Sequence, residues 1–181
     1  MILHKKLRAR EAAGQPIRVA LIGAGKFGSM YLSQVPRTVG VHLVAIADLN
    51  PAAAKVNLAR VGWPAGMADA PSMDAAIKGR TTWLSDDWKA VIADPRIDVV
   101  VECTGHPYAA VEHCLAAFAH GKHVVNVTVE ADAFCGPLLA RKREFPALKA
   151  AAEAAFGQVL AASTALDSER VYIGAGDGCL Y

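Results

Sequence analysis

The sequence of 181 residues has no apolar run approaching the roughly 20 residues that a membrane-spanning helix needs. The basic stretch at positions 1–10 lacks the long apolar region of a secretory signal peptide. The formal net charge is only +2, which is too small to indicate a nucleic-acid-binding surface. These absences predict a protein that has neither a membrane nor a nucleic acid as its partner.

Cysteine is scarce and unclustered. The four cysteines (Cys103, Cys114, Cys135 and Cys179) form no Cys-x-x-Cys pair, so the sequence predicts no metal site. Reduced, buried thiols are common in proteins of reducing compartments, and we predict a cytoplasmic location. Hydrophobic residues are abundant at 54%, against 20% charged residues, which is ample for a core and argues against disorder.

The stretch from Arg18 to Gly28 organises the chain, because a short apolar run passes directly into Gly-x-Gly-x-x-Gly. Gly23 permits a tight turn out of a strand, and Gly25 has no Cβ to keep the backbone from a pyrophosphate. Gly28 allows the following helix to pack close to the strand, with its N-terminus turned towards the phosphates. Lys26 and Phe27 complete the predicted phosphate-binding turn. The motif alone also occurs in ordinary flexible turns.

Asp48 strengthens the dinucleotide interpretation. It ends the second apolar run, 41–47, and lies 48 − 28 = 20 residues beyond the third glycine. An acidic side chain at this distance can accept hydrogen bonds from an adenosine ribose. The carboxylate favours NAD, although Lys55 and Arg60 leave NADP open. The alternative is a turn or helix-capping aspartate, since Asn50-Pro51 starts another helix.

The alternation of strands and helices predicts an α/β fold, namely a Rossmann-type doubly wound parallel sheet. We expect an N-terminal helical arm at 1–16, a dinucleotide-binding domain at 17–140 and a short divergent or truncated segment at 141–181. The predicted strands are 17–22, 41–47, 81–84, 97–102 and 122–127, and the predicted helices are 3–13, 25–35, 51–61, 72–79, 88–93 and 108–120. Beyond residue 140, we expect a helix at 147–156, a strand at 158–162 and a glycine-rich loop at 174–178.

A second loop, Cys103-Thr104-Gly105-His106, follows the strand that ends at Glu102 and is expected to face the same crevice. Thr104 is a candidate hydrogen-bond donor to the nicotinamide end, and Gly105 permits close approach. His106 is the obvious candidate acid or base, because the unperturbed pKa of a histidine lies near neutrality. The alternative, which we favour, is a histidine that fixes the turn before Pro107 or touches the cofactor.

Two acidic residues, Glu130 and Asp132, follow the last predicted strand. They can reach the crevice from that position, but we favour their assignment as charges at a helix start.

The pieces Ile22–Gly28, Val99–Gly105 and Gly121–Asn126 resemble the NAD(P)-binding domain of homoserine dehydrogenase-like oxidoreductases. The stretch Asn126–Asp132 is similar to the branch that includes deoxyxylulose-phosphate reductoisomerase-like proteins, which often carry a SAF domain. The resemblance implies a dinucleotide cofactor, and it covers about residues 5–140. The lysine that follows this last strand in homoserine dehydrogenases is absent here.

Members of this family continue through a substrate and oligomerisation domain, so the resemblance implies a truncated or divergent chain. Asp167-Ser168-Glu169 is similar to a metal-binding motif of reductoisomerases, but its flanks do not match and we assign no metal. We therefore predict an NAD(P)-dependent oxidoreductase that transfers a hydride to or from a carbonyl or alcohol and has a small-molecule substrate. A homo-oligomer is a further expectation. A non-catalytic nucleotide-binding module and a methyltransferase are the alternatives.

Overall fold

The computed structural model describes residues 2–142 and 172–173. Within this part of the chain, seven α-helices and six β-strands are present, with one 3₁₀ turn at Val35–Arg37. The helices are α1 (Ile2–Ala12), α2 (Lys26–Leu32), α3 (Pro51–Arg60), α4 (Met73–Gly79), α5 (Trp88–Ala93), α6 (Pro107–Ala119) and α7 (Val129–Lys142). The strands are β1 (Ile17–Ile22), β2 (Val41–Ala47), β3 (Trp83–Ser85), β4 (Val99–Glu102), β5 (His123–Asn126) and β6 (Tyr172–Ile173).

The six strands form one sheet in the order β3-β2-β1-β4-β5-β6, and every pairing is parallel. Strand β1 lies in the middle, with β2 on one side and β4 on the other. The strand order therefore reverses between β1 and β4. In open α/β sheets, ligands bind outside the carboxyl ends of the strands at such a reversal.

The register brings the carboxyl ends of four strands level with one another. Ile22 pairs with Ala47 on one side and with Glu102 on the other, and Glu102 pairs with Asn126. The ladder continues past the strand ends, since the backbone N–H of Cys103 donates to the carbonyl of Ile22 at 2.8 Å. The loops that follow β1, β2, β4 and β5 consequently meet at one edge of the sheet.

Both faces of the sheet are buried, which explains the nearly unbroken apolar runs of the central strands. Val19 and Leu21 belong to one hydrophobic cluster, which also holds Leu58 of α3. Ala20 and Ile22 belong to the cluster on the opposite face, beneath α5, α6 and α7. This alternation of side chains along β1 gives the three-layer α/β arrangement.

The structure confirms the predicted Rossmann-type α/β fold. The observed bounds of β1, β2 and α5 equal the predicted ones. Helix α2 is shorter than predicted: it ends at Leu32, and a separate 3₁₀ turn accommodates Pro36. Strand β6 was not predicted. The helix expected at 147–156, the strand at 158–162, the motif at 167–169 and the loop at 174–178 lie outside the described residues.

The N-terminal helix α1 is attached to the turn before β2. The backbone N–H of Gly40 donates to Glu11 Oε2 at 3.2 Å, and Arg80 forms an ion pair with the same carboxylate. Gly40 has φ +85°, and a Cβ added there would lie 2.2 Å from the carbonyl oxygen of Leu7. The close approach of α1 therefore depends on glycine at position 40. No helix in the described part of the chain is long and apolar enough to cross a membrane.

Candidate functional site

The three glycines after β1 have different environments. Gly23 has φ +91°, and a Cβ added there would lie 2.9 Å from backbone atoms of Cys103 and Thr104. A Cβ at Gly28 would lie 2.4 Å from the carbonyl oxygen of Gly23, so this glycine lets α2 pack against the turn. A Cβ at Gly25 would meet nothing within 4 Å. The first and third glycines are thus required by protein contacts, whereas the middle one borders open space.

Ala24, at the centre of the turn, is held from both sides. Its backbone N–H donates to Asp48 Oδ2 at 2.8 Å, and its carbonyl accepts from Asn57 Nδ2 at 2.8 Å. Asp48 follows β2 and Asn57 lies on α3, so two elements fix the turn that follows β1. The sequence did not indicate this role for Asn57, because a single polar residue in an alanine-rich helix belongs to no recognisable motif.

Asp48 is partly exposed at the edge of the crevice. Its second oxygen, Oδ1, accepts the N–H of Asn50 at 2.8 Å, and Asn50 in turn caps α3 by accepting from Ala53 N. The turn-capping role weighed in the sequence analysis is therefore present. A carboxylate has about four acceptor positions, so two bonds to backbone leave capacity for ribose hydroxyls.

The start of α2 is open to solvent. Gly25, Lys26 and Phe27 are all exposed, and Phe27 is 50% exposed despite its apolar ring. The first N–H groups of any α-helix lack partners within the helix and carry a partial positive charge. The open side of Gly25 and this helix start form a cradle that a larger side chain at position 25 would fill, and its shape and polarity fit a pyrophosphate.

In the loop after β4, the hydrogen bonding of Thr104 differs from the expectation based on the sequence. Thr104 was expected to offer its hydroxyl to a ligand, but its Oγ1 donates to Glu102 Oε1 at 2.5 Å. The same hydroxyl accepts the backbone N–H of His106 at 3.3 Å. The single hydroxyl proton of Thr104 is therefore used inside the protein. Gly105 has φ +70°, and a Cβ added there would meet nothing within 4 Å.

His106 is exposed and is the N-cap residue of α6. Its Nδ1 accepts the backbone N–H of Ala109 at 3.4 Å, and its ring lies 6.2 Å from the ring of Tyr108. This is the turn-fixing arrangement favoured in the sequence analysis. The other ring nitrogen belongs to an exposed imidazole at the crevice, so contact with a ligand is compatible with the cap.

The Cys103 side chain is buried beneath the glycine turn. Burial, and secondarily the negative charge of Glu102, raise the pKa of the Cys103 thiol to about 12. The thiol therefore stays protonated near neutral pH and is a poor nucleophile. Its contribution to the site is made by the backbone, which packs against Gly23.

Glu130 and Asp132 lie in the first turn of α7, as the favoured assignment predicted. Glu130 is exposed, whereas Asp132 is buried. A Cβ added at Gly136, one turn later, would lie 2.5 Å from Asp132 Oδ1. Among the described residues, no three His, Cys, Asp or Glu side chains come together in a way that could hold a metal ion.

Comparison with known proteins identifies the class of this site. The family described as homoserine dehydrogenase, NAD binding domain, matches residues 23–160. The homoserine dehydrogenase of Methylobacillus glycogenes is 30% identical over 121 residues, which are 62% of this chain and 24% of the relative. The chain thus spans about a quarter of the length of this curated relative.

Solved structures agree with this assignment. The homoserine dehydrogenase of Thiobacillus denitrificans superposes with a TM-score of 0.53 and 26% identity, over 70% of this chain and 27% of that one. The myo-inositol dehydrogenase of Lactobacillus casei, solved with NAD(H) and myo-inositol, gives a TM-score of 0.51 and 17% identity, over 71% of this chain and 33% of that one. The second likeness shows the fold alone.

The family match confirms the predicted resemblance to homoserine dehydrogenase-like oxidoreductases and the NAD(P) class of cofactor, and it does not favour a methyltransferase or a non-catalytic module. The finer resemblance to the reductoisomerase-like branch stays a prediction. The match covers the glycine turn, the 103–106 loop and more than half of the sequence, so the chain belongs to the homoserine dehydrogenase NAD-binding domain family.

Proposed function

We propose that the crevice between the glycine turn and the 103–106 loop holds NAD or NADP, and that the chain supplies the cofactor-binding part of an oxidoreductase. One observation carries this proposal: of the three glycines, only Gly25 faces open space, while Gly23 and Gly28 face protein backbone. A pyrophosphate needs this absence of a Cβ at the middle glycine. The family match supports the same cofactor.

Each residue of the predicted cofactor site has a role in this proposal. Gly25, Lys26 and Phe27 contact the pyrophosphate and its surroundings, while Gly23 and Gly28 let the turn form. Asp48 accepts hydrogen bonds from the ribose of the adenosine half, which favours NAD over NADP because a carboxylate repels a 2′-phosphate. The loop of Cys103, Thr104, Gly105 and His106 lies beside the nicotinamide half.

The bound nicotinamide supplies the chemistry, which is hydride transfer to or from a carbonyl or alcohol carbon of a small molecule. The protein's part is to orient the ring and to exclude water from it. His106 is the candidate acid or base on this chain, since its imidazole is exposed at the crevice. A cytoplasmic location fits the three buried free thiols of Cys103, Cys114 and Cys135.

Titration of the purified chain with NADH, NADPH and S-adenosylmethionine tests the proposal. We expect both dinucleotides to bind, NADH more tightly, and S-adenosylmethionine not to bind. The substitution Gly25→Val should weaken dinucleotide binding by at least about tenfold, because the branched side chain occupies the space of the pyrophosphate. Its melting temperature should change little, since a Cβ at position 25 meets nothing within 4 Å.

Gly79→Val is the matched control. Gly79 ends α4 at the opposite edge of the sheet, and a Cβ there would make ordinary contact with Thr81 at 3.4 Å or more. This variant should bind NADH like the unmodified chain. Equal NADH affinity of the Gly25→Val and Gly79→Val proteins would contradict the proposed placement of the pyrophosphate.

A further inference from the structure

Glu102 is a fully buried carboxylate at the carboxyl end of β4, directly beneath the 103–106 loop. Its Oε1 accepts the backbone N–H of Thr104 at 3.2 Å and the Thr104 hydroxyl at 2.5 Å. Its Oε2 accepts the hydroxyl of Thr128, a buried residue just before α7. The groups that this buried carboxylate binds belong to loops that line the crevice, so it can influence the shape of the crevice.

The two threonine hydroxyls connect this carboxylate to further backbone N–H groups of the loop. Each hydroxyl donates its proton to Glu102 and accepts a backbone N–H with a lone pair. Thr128 Oγ1 accepts the N–H of Gly105 at 3.0 Å, and Thr104 Oγ1 accepts the N–H of His106 at 3.3 Å. Three successive N–H groups of the loop, those of residues 104, 105 and 106, are thereby connected to one side chain, the first directly and the others through a hydroxyl.

Helix α6 supports the same carboxylate from the other side. His113 Nδ1 lies 3.2 Å from Glu102 Oε1, and the His113 ring meets the ring of Trp88 edge-on with centroids 4.5 Å apart. Both Glu102 and His113 are buried. The position of the carboxylate is therefore fixed by Thr104, Thr128 and His113 before any ligand arrives.

Successive backbone N–H groups in a turn commonly form a concavity that binds an anion. In this loop, the N–H groups are occupied by Glu102 itself and by the two threonine hydroxyls that bind it. The N–H groups of residues 104–106 are engaged with the interior, and the exposed part of the loop is the open side of Gly105. This loop therefore meets a ligand through shape and close approach, unlike the phosphate-binding turn after β1.

We propose that Glu102 is a positioning residue for the nicotinamide half of the cofactor, acting through Thr104 and Thr128 on the 104–106 loop. This inference rests on the proposed function. It gives each half of the crevice its own anchoring side chains. The glycine turn and Asp48 hold the adenosine and pyrophosphate part, while Glu102 sets the loop that the nicotinamide ring approaches. A substitution of Glu102, Thr104 or Thr128 should therefore weaken the binding of the nicotinamide half of the cofactor only.

The test compares NADH with ADP-ribose, which lacks the nicotinamide ring. In Glu102→Gln, one accepting oxygen becomes an NH₂ donor that faces N–H or hydroxyl protons, so the loop loses its anchor. We expect roughly tenfold weaker binding of NADH and unchanged binding of ADP-ribose. Asp98→Asn is the control, since Asp98 precedes β4 at its other end and accepts the N–H of Arg18 at 2.7 Å. It should leave the ratio of the two affinities unchanged.

A second pair of variants keeps the test decisive if Glu102→Gln does not fold. Thr128→Val removes the hydroxyl that joins Glu102 to Gly105 but preserves the shape of the side chain, whereas Thr128→Ser retains the hydroxyl. We expect Thr128→Val to lose NADH affinity selectively and Thr128→Ser to retain it. If Thr128 had a merely structural role, its substitution would lower the affinities for NADH and ADP-ribose together.

Equal losses of NADH and ADP-ribose affinity in a folded Glu102→Gln or Thr128→Val protein would overturn the inference, and so would no loss in either. If the unmodified chain binds ADP-ribose and NADH equally well, the nicotinamide half makes no contact and the inference also fails, although dinucleotide binding stands. If the unmodified chain binds neither ligand, the proposed function itself is wrong.

Discussion

At the scale of single residues, Asp48 stabilises the glycine turn and, in the proposed function, also sets the choice of coenzyme. Its two oxygens accept the N–H groups of Ala24 and Asn50, each at 2.8 Å. The same carboxylate borders the crevice where the proposed ribose lies. Changing this residue therefore alters both the turn and any bond to the ribose, and the two effects need different measurements.

We expect NADH to bind the unmodified chain more tightly than NADPH, and Asp48→Asn to narrow that difference by roughly tenfold. The loss of a charged acceptor costs about 1.5–3 kcal/mol, and the repulsion of a 2′-phosphate disappears with the charge. Isothermal titration with both coenzymes measures the ratio of affinities. Loosening of the glycine turn should lower the affinity for both coenzymes to a similar extent, so it cancels in that ratio. A preference of the unmodified chain for NADPH would mean that Lys55 or Arg60 outweighs Asp48.

Sequence reasoning predicted those residues of the candidate site that belong to a short motif. Gly23, Gly25, Gly28 and Asp48 lie within 26 positions of one another, and their spacing has a physical reason. Glu102 was treated only as the end of a strand. Its partner Thr128 is 26 positions further along the chain, and only the pairing of Glu102 with Asn126 in the sheet brings the two together. Such a network depends on register, which a single sequence does not reveal.

At the scale of elements, the predicted bounds match the structure for the two longest strands, β1 and β2. Strands β1 and β2 have the predicted bounds because apolar side chains on both faces leave a continuous run. Strand β3 begins two residues later than predicted, since Thr82 uses its hydroxyl to donate to the Leu43 carbonyl at 2.6 Å before the ladder starts. Polar contacts of this kind shift the ends of an element without changing its type.

The attachment of α1 gives a prediction at this scale. Gly40→Ala should destabilise the chain by more than the roughly 1–3 kcal/mol expected for a strained backbone alone, because the new Cβ meets the Leu7 carbonyl of α1. The lysines and arginines of α1 are already at least partly exposed, so displacement of α1 should favour trypsin cleavage by loosening its helical backbone. Urea unfolding and limited proteolysis measure the two effects.

Gly62→Ala is the control for this experiment. Gly62 has φ +82°, close to the +85° of Gly40, but a Cβ there meets nothing within 4 Å. The two variants therefore share the backbone strain and differ only in the contact with α1. Equal loss of stability and equal resistance to trypsin would show that α1 contributes nothing to the stability of the sheet.

At the scale of the whole molecule, one buried histidine makes stability depend on pH. His42 lies on β2, is 8% exposed, and its Nε2 is 2.8 Å from the carbonyl oxygen of Thr81. Burial lowers the pKa of His42 below 6.5, and the positive charges of Arg80 and Arg18 lower it further, although the hydrogen bond to Thr81 opposes them. The folded protein therefore holds this imidazole neutral at a pH where the unfolded chain binds a proton.

The sign of the effect follows from linkage. The contribution of His42 is fully present above about pH 6.5 and is lost as the pH falls through the lower pKa of the folded state. We expect a smaller free energy of unfolding at about pH 5 than at about pH 7.5, and a weaker dependence in His42→Gln, whose amide donates to Thr81 but does not titrate. Urea unfolding at both pH values measures this. An unchanged dependence in His42→Gln would assign the effect to other groups.

The strand order also bears on how the chain emerges from the ribosome. Strand β1 ends at residue 22, but β4, its second neighbour, ends at residue 102, which is 102 − 22 = 80 residues later. At roughly 5–20 residues per second, synthesis of that stretch takes about 4–16 s. During this interval, the most central strand of the sheet has one edge without a partner, and unpaired apolar edges favour aggregation. The rate of translation between β1 and β4 therefore sets how long this edge of β1 stays open to pairing with another chain.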